Sequence, residues 1–457
     1  MDGVAWYHRH IAAAAGGNGG DSEAVVADLW ALLEAAEADG AALYRAATAV
    51  LGMPWNAHLA GALLNAGYAG DAQTFEPMPS RAALLAVLNR QGAGANPMPF
   101  PRPQIGAGRI ERNVAVTSDR GQHVMDSVLV VSPELAYAFV ANLQTCIYGK
   151  VRHGIQLKPA TPASPRASFF APRGTAPRPW CVSDVQVAIK CIERGKYEAH
   201  MERHRGQLNE DPIKEIAVMQ YIGASGGAPH VLPLSGCYAD EKCVYVVLPF
   251  CPNSDLFNLV EAQEEAMTES AAFHYFKQVM DGLDALHGLG LAHHDMSLEN
   301  LMLDQRRSAV IIDFGMAVKM ARKRPGLDGA AGGAVPLKPG GGWPCRCGKL
   351  LYMAPELFTP KNAFDVCAAD LWACGIILFI LLTRIPPWDP GVGPSDSDMR
   401  YVYVRDGRLR DLLAAWRTAL SDDVQDLLQR LLTADPARRI TLQEVRRHPW
   451  WLRHHRA

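Results

Sequence analysis

His293-His294-Asp295-Met296-Ser297-Leu298-Glu299-Asn300 decides the reading of this chain of 457 residues. It sets an Asp and an Asn five residues apart. Asp313-Phe314-Gly315 follows after a short apolar strand, and Ala354-Pro355-Glu356 after a long intervening segment. Carboxylate and carboxamide oxygens are hard ligands, of the kind a divalent ion such as magnesium takes.

Composition narrows the classes around this stretch. The formal net charge is -2, which gives no electrostatic reason to expect a nucleic acid or an anionic membrane as partner. The length suits two or three units. The ten cysteines show no Cys-x-x-Cys spacing, and a reduced intracellular protein is the economical reading. The start lacks the basic residues and apolar run of a signal peptide. The most apolar segment, Leu371 to Leu382, is shorter than the roughly 20 residues a bilayer needs, so a buried helix is expected there.

Along the chain, Val26, Leu29, Trp30 and Leu33 recur at helical spacing after Asp21. A second helix is expected up to Leu51, and Ser80 caps a third that carries Leu84, Leu85 and Leu88. Residues 92–108 hold four prolines and four glycines and read as a linker. The pattern turns strand-like between 110 and 131, and Ser132-Pro133-Glu134 reads as a helix start. Two Pro- or Gly-rich stretches, 158–179 and 323–347, read as inserted surface loops.

Taken together, and in the right order, the motifs resemble those of the eukaryotic protein kinase superfamily, over roughly residues 140–452. Val187-Ala188-Ile189-Lys190 resembles the strand whose lysine pairs with the α- and β-phosphates. The resemblance implies a carboxylate partner on the next helix, with Glu215 first and Glu210 second in line. In Leu143-Gln144-Thr145-Cys146-Ile147-Tyr148-Gly149-Lys150-Val151 only the third glycine of the phosphate loop survives, as Gly149, with Val151 the apolar cover on adenine. Gln144 and Cys146 replace the first two glycines, and their side chains would hinder backbone approach to phosphates. Ala188, Leu248 (as gatekeeper), Phe250, Cys251 and Met302 complete the implied adenine site, and Asp255 the ribose edge. Asp295 matches the base that accepts the substrate proton, and Asn300 and Asp313 the magnesium ligands. Glu356 with Arg439 matches a buried ion pair, Asp370 the residue that holds the catalytic-loop backbone, and Met219, Leu234, His293 and Phe314 an apolar stack between lobes.

Two positions depart from the family pattern. His294 stands where an Arg usually meets a phosphate on the activation segment, and no Ser, Thr or Tyr occurs between Gly315 and Tyr352. Activation by phosphorylation of that segment is therefore not expected. Ser297 stands where Ser/Thr kinases carry a Lys that contacts the γ-phosphate, and Lys349 stands where they carry a Thr. The two residue types look exchanged, so Lys349 is expected to reach Ser297 and supply the cation.

The resemblance thus implies an α+β, bilobal kinase fold with a mostly helical N-terminal extension. Residues 1–91 are expected as a helical N-terminal region and 92–130 as linker and short strands. The kinase domain is expected at 140–452, with a small lobe at 140–250 and a large lobe at 251–452. It implies a protein serine/threonine kinase that uses ATP and Mg2+ on protein substrates. No nucleic-acid or membrane partner and a cytoplasmic or nuclear setting are expected, and a contact through residues 1–130 is left open. Basic residues around the phosphoacceptor are weakly suggested by Glu299 and Asp255. The competing class is a pseudokinase, a nucleotide-binding or scaffold module without turnover.

Overall fold

The computed structural model describes residue 100 and residues 102–160, 180–203, 211–319, 348–358 and 365–456. The helices expected between Asp21 and Leu51 and from Ser80, residues 161–179 of the loop expected at 158–179, the loop at 323–347, and Glu210 lie outside the described residues, while Lys158 and Pro159 of the first loop belong to a strand.

A single sheet organises the first lobe. Its strands are β1 (Gly106–Ala107), β2 (Arg109–Ser118), β3 (Gly121–Ser132), β4 (Leu135–Cys146), β5 (Gly149–Pro159), β6 (Trp180–Glu193), β7 (Gly236–Ala239) and β8 (Cys243–Pro249). Their order is β1-β7-β8-β6-β2-β3-β4-β5, and β5 also pairs back onto β6. Strands β2 to β6 thereby close a ring of hydrogen-bonded neighbours. Successive side chains on a strand face opposite ways, and β3 and β4 use both faces. Val128 and Val130 lie opposite Ala138 and Ala136 and join Val116, Leu157 and Trp180 in one apolar cluster. Leu129 and Tyr137, one residue out of phase, join Phe139, Val187, Ile189, Tyr245 and Val247 in another.

This arrangement corrects two expectations. Ser132-Pro133-Glu134 starts no helix; Pro133 and Glu134 are the turn between β3 and β4, where the Ser132 hydroxyl accepts a hydrogen bond from the Glu134 amide at 3.2 Å. The alternating apolar residues on both sides outweigh the helix-start signal. Residues 106–132 are also more than linker and short strands, since β2 and β3 are 10 and 12 residues long and belong to the sheet that carries Lys190. The small lobe accordingly begins ahead of residue 140.

Helices α1 (Arg194–Arg203) and α2 (Pro212–Ala224) cross between β6 and β7. Asp211 caps α2 by accepting from the Ile213 amide at 2.9 Å, and Pro212 fills a first-turn position that has no intrahelical partner for an N–H.

The second lobe is mainly helical. It contains α3 (Leu256–Glu261), α4 (Glu269–Gly288), β9 (Leu291–Ala292), β10 (Leu301–Leu303), β11 (Ala309–Ile311), β12 (Val318–Lys319) and α5 (Val366–Thr383). Then come α6 (Met399–Arg405), α7 (Leu409–Ala415), α8 (Asp422–Leu431), α9 (Leu442–Arg447) and α10 (Pro449–Arg456). Helix α5 is the apolar segment noted above and is 94% buried, so its hydropathy reflects a core position. Arg439 makes two hydrogen bonds to Glu356, at 2.7 and 2.8 Å, and a third to the Ala368 carbonyl at 2.7 Å. That pair ties the Ala354-Pro355-Glu356 turn to α5.

Candidate active site

The site is assembled from both lobes. Strand β6 presents Lys190, and its Nζ donates to Glu215 Oε2 on α2 at 2.6 Å. Register places the rest of the upper wall. Val151 pairs with Lys190 and His153 with Ala188 across β5–β6, while Val246 and Leu248 pair with the same two residues across β6–β8. Directly paired residues share a face of a sheet. Val151, Ala188, Lys190 and Leu248 therefore line one face, and all four are partly exposed, as is Met302 on β10. His153, which sequence reading missed, belongs to this face too and stacks on Phe250 at 4.4 Å. Its signal was the two-residue spacing from Val151.

Gly149, Phe250 and Asp255, expected at the nucleotide, are differently engaged. A Cβ on Gly149 would stand 2.0 Å from the Cys191 carbonyl oxygen, so close strand packing requires this glycine. Its neighbour Tyr148 is 3% exposed and packs edge-on against Tyr197 and His200 of α1, at 5.7 and 5.2 Å. The β4–β5 connection is thus a two-residue turn at Ile147-Tyr148, with the aromatic drawn inward. The Phe250 amide is turned to the Gln186 carbonyl at 3.4 Å, away from a role toward adenine. Cys251 is buried, which pushes its thiol up to about 11. Asp255 caps α3, accepting from the amide and the side chain of Asn258 at 2.7 and 2.8 Å.

In the lower lobe Asp370 organises the catalytic loop. Its two carboxylate oxygens accept the His293 and His294 amides, each at 2.8 Å. Burial works against this charge, yet hydrogen bonds from His287 and the loop hold its carboxyl below the usual range. His293 Nε2 lies 2.9 Å from the Ile312 carbonyl oxygen, so that nitrogen carries the proton, and its ring meets Phe314 at 5.2 Å. Asn300 Nδ2 donates to the Asp295 carbonyl at 2.7 Å and to Asp295 Oδ2 at 2.9 Å. With its amide nitrogen committed to Asp295, the amide oxygen of Asn300 is the atom that could serve as a hard ligand. Burial raises the Asp295 carboxyl pKa, and Lys349 opposes the rise. Burial also pushes His294 down to about 4, so its imidazole is neutral near pH 7.

Lys349 Nζ donates to Ser297 Oγ at 2.7 Å and stands 3.8 Å from Glu299 Oε2. The preceding Gly348 has φ +84, and a Cβ there would meet Asp295 Oδ1 at 2.7 Å. Glycine is needed to bring this segment against the catalytic loop.

A metal fit can be judged from donors alone. Among the described residues no group of three His, Cys, Asp or Glu could hold a metal ion. Asp313 and Asn300 offer two hard oxygen ligands, which suits magnesium, an ion that keeps waters and substrate phosphates in its shell. The residues fit that ion only together with a phosphate ligand.

The segment from 181 to 451 matches the family described as protein kinase domain. The chain belongs to the protein kinase family. The match begins at β6, so β1 to β5 precede it. This kinase is 30% identical over 270 residues to the serine/threonine-protein kinase KIN4 of Saccharomyces cerevisiae, covering 58% of this chain and 30% of that protein. It is 31% identical over 265 residues to CBL-interacting serine/threonine-protein kinase 16 of Arabidopsis thaliana, covering 58% of this chain and 51% of that protein. With calcium-dependent protein kinase 33 of Arabidopsis thaliana it shares 30% identity over 244 residues, 53% of this chain and 41% of that one. The kinase therefore spans about half or less of the length of these relatives.

Proposed function

We propose that this kinase transfers the γ-phosphate of ATP to Ser or Thr hydroxyls of protein substrates, with Mg2+ held by Asn300 and Asp313. The observation that carries the reading is a pair of contacts on the 293–300 loop, Asn300 donating to Asp295 within it and Lys349 donating to Ser297 from the later segment. Lys190, fixed by Glu215, neutralises the nonreacting phosphates. Val151, Ala188, Leu248 and Met302 give adenine an apolar slot, with Asp255 at the ribose edge and Cys251 supplying backbone groups. Asp295 accepts the hydroxyl proton, and its raised pKa makes it a better base than a solvated carboxylate. Lys349 places a cation beside Ser297, where charge builds on the transferring phosphoryl group. The magnesium ion, when bound, offsets phosphate charge and orients the phosphates.

Control by phosphorylation of the 316–351 segment is not part of the proposal. That segment has no hydroxyl side chain, and His294 is neutral where an anchoring cation would be needed. A cytoplasmic setting accords with the described cysteines, all of which are free. One observation favours the alternative of a nucleotide-binding module without turnover. The buried Tyr148 and the packed Gly149 leave only a tight turn where phosphates would be covered.

Transfer from Mg-ATP to a generic basic protein, compared with Asp295→Asn, decides between the two. Transfer that disappears in the variant supports the kinase reading. Background signal from both, with nucleotide still bound, supports the module.

A further inference from the structure

The helix that carries Glu215 is held from behind by the chain that enters the sheet. Gln220 lies five residues after Glu215 on α2. At about 100° per residue it faces roughly 140° away from it, on the opposite side of the helix. Gln220 Oε1 accepts the Gln104 amide at 2.8 Å, and Gln220 Nε2 donates to the Gln104 carbonyl at 2.6 Å. A carboxamide is the side chain that can make both bonds to one backbone unit. The same strand of chain continues as β1, which pairs with β7 (Gly106 opposite Tyr238, Ala107 opposite Ala239). The Gly108 amide then donates to the Ala239 carbonyl at 2.9 Å. Gly106 and Gly108 are suited to this path, since a Cβ on either would stand 3.0 Å from a neighbouring side chain.

The next residue of α2, Tyr221, gathers three further inputs. Phe100 meets its ring edge-on at 6.4 Å, Lys319 Nζ lies 4.4 Å above the ring, and its hydroxyl donates to the Leu289 carbonyl at 3.2 Å. Lys319 follows Asp313-Phe314-Gly315 on β12, and Leu289 ends α4. One turn of α2 is therefore joined to the entering chain, to the metal-loop segment and to the large lobe.

We propose that Phe100 and residues 102–108 form a strap that positions α2, making Gln220 and Gln104 positioning residues for the Lys190–Glu215 pair and hence for nucleotide binding. This rests on the reading of that pair as the phosphate-binding one. Loss of the strap lets α2 turn or swing outward, which lengthens the 2.6 Å Lys190–Glu215 contact and returns Lys190 to solvent. Whatever restrains or pulls the chain ahead of residue 100 would then act on the nucleotide site through this strap.

The experiment uses the full chain and a fluorescent ATP analogue with Mg2+. Gln220→Ala is expected to weaken nucleotide binding about fivefold, as losing a pair of partly exposed hydrogen bonds would. Gln220→Glu keeps the acceptor but sets a second oxygen against the Gln104 carbonyl, so it should weaken binding at least as much as Gln220→Ala. Gln104→Pro removes the amide donor on the strap without altering α2. The double variant Gln220→Ala/Gln104→Pro should bind no more weakly than Gln220→Ala, because both changes break one contact. A purely architectural role would lower the melting midpoint and leave affinity untouched, and that result would overturn the proposal, as would additive losses in the double variant. Nucleotide binding without phosphoryl transfer would sink the kinase reading alone. A wild-type chain that binds no nucleotide would sink both.

Discussion

At the scale of single residues, the chemistry turns on where one positive charge stands. Transition-state stabilisation depends on the position of the charge, and the chain position that supplies it is secondary. Ser297 is fully buried and can only receive a hydrogen bond or pass one on, whereas Lys349 brings an ammonium to 2.7 Å from it. Lys349→Met is therefore expected to lower kcat by about 10²-fold or more, the usual scale for losing a preorganised donor, with nucleotide affinity largely kept. Combining Ser297→Lys with Lys349→Thr restores the charge from the other side of the contact. It should retain steady-state transfer that Lys349→Thr alone loses. Equal rates for wild type and Lys349→Met would show that the lysine only binds a local hydroxyl. Glu299 lies 3.8 Å from Lys349, so part of its charge is already answered there. That weakens the expectation of basic residues in the substrate, which leaned on Glu299 and on an Asp255 that is engaged as a cap.

At the scale of elements, the parts that were legible in the sequence are those where a side chain's chemistry is itself the signal. Lys190 with Glu215, Asp370 beneath the loop, Glu356 with Arg439, and Lys349 beside Ser297 all follow from residue type and order along the chain. What stayed hidden depends on backbone approach between strands distant in sequence. Gly149 is the clearest case. Read locally, it is what remains of a phosphate loop; in the sheet it is the one residue small enough to lie under the Cys191 carbonyl. The place of His153 is fixed by β5–β6 register, and the inward turn of Tyr148 by its packing on α1; neither is written in a motif. Gly149→Ala separates the two roles. A methyl group 2.0 Å from a carbonyl oxygen forces β5 away from β6, and overpacking of this kind costs about 1–3 kcal/mol. Chemical denaturation should show that loss in the absence of any nucleotide. If stability held and only ATP affinity fell, the glycine would be serving phosphate approach after all.

At the scale of the whole molecule, the small lobe is larger than the family match suggests. The match starts at residue 181, yet β6, its first strand, is paired along one edge with β5 and along the other with β2 at its start and β8 further on. Two of the three apolar clusters of the lobe draw on residues ahead of 140. Val116, Val128, Val130, Ala136 and Ala138 belong to one, and Leu129, Tyr137 and Phe139 to the other. A chain cut to begin at residue 140 loses all of these, and with them the two neighbours that close the ring between β6 and β4. The Val187 and Ile189 side chains, 2% and 0% exposed, would then face water on the strand that holds Lys190. Each such side chain contributes roughly 1.5–3 kcal/mol when buried, against a domain stability of only about 5–15 kcal/mol. A chain beginning at residue 100 keeps the strap, β2 and β3. It should express in soluble form, unfold in one cooperative transition and bind nucleotide as the full chain does. The chain from 140 should fail to protect the amides of β6 and β8 in hydrogen exchange, even where α4 and α5 of the large lobe remain protected. Full protection of β6 in that shorter chain would mean that strands 106–132 decorate a lobe able to close without them.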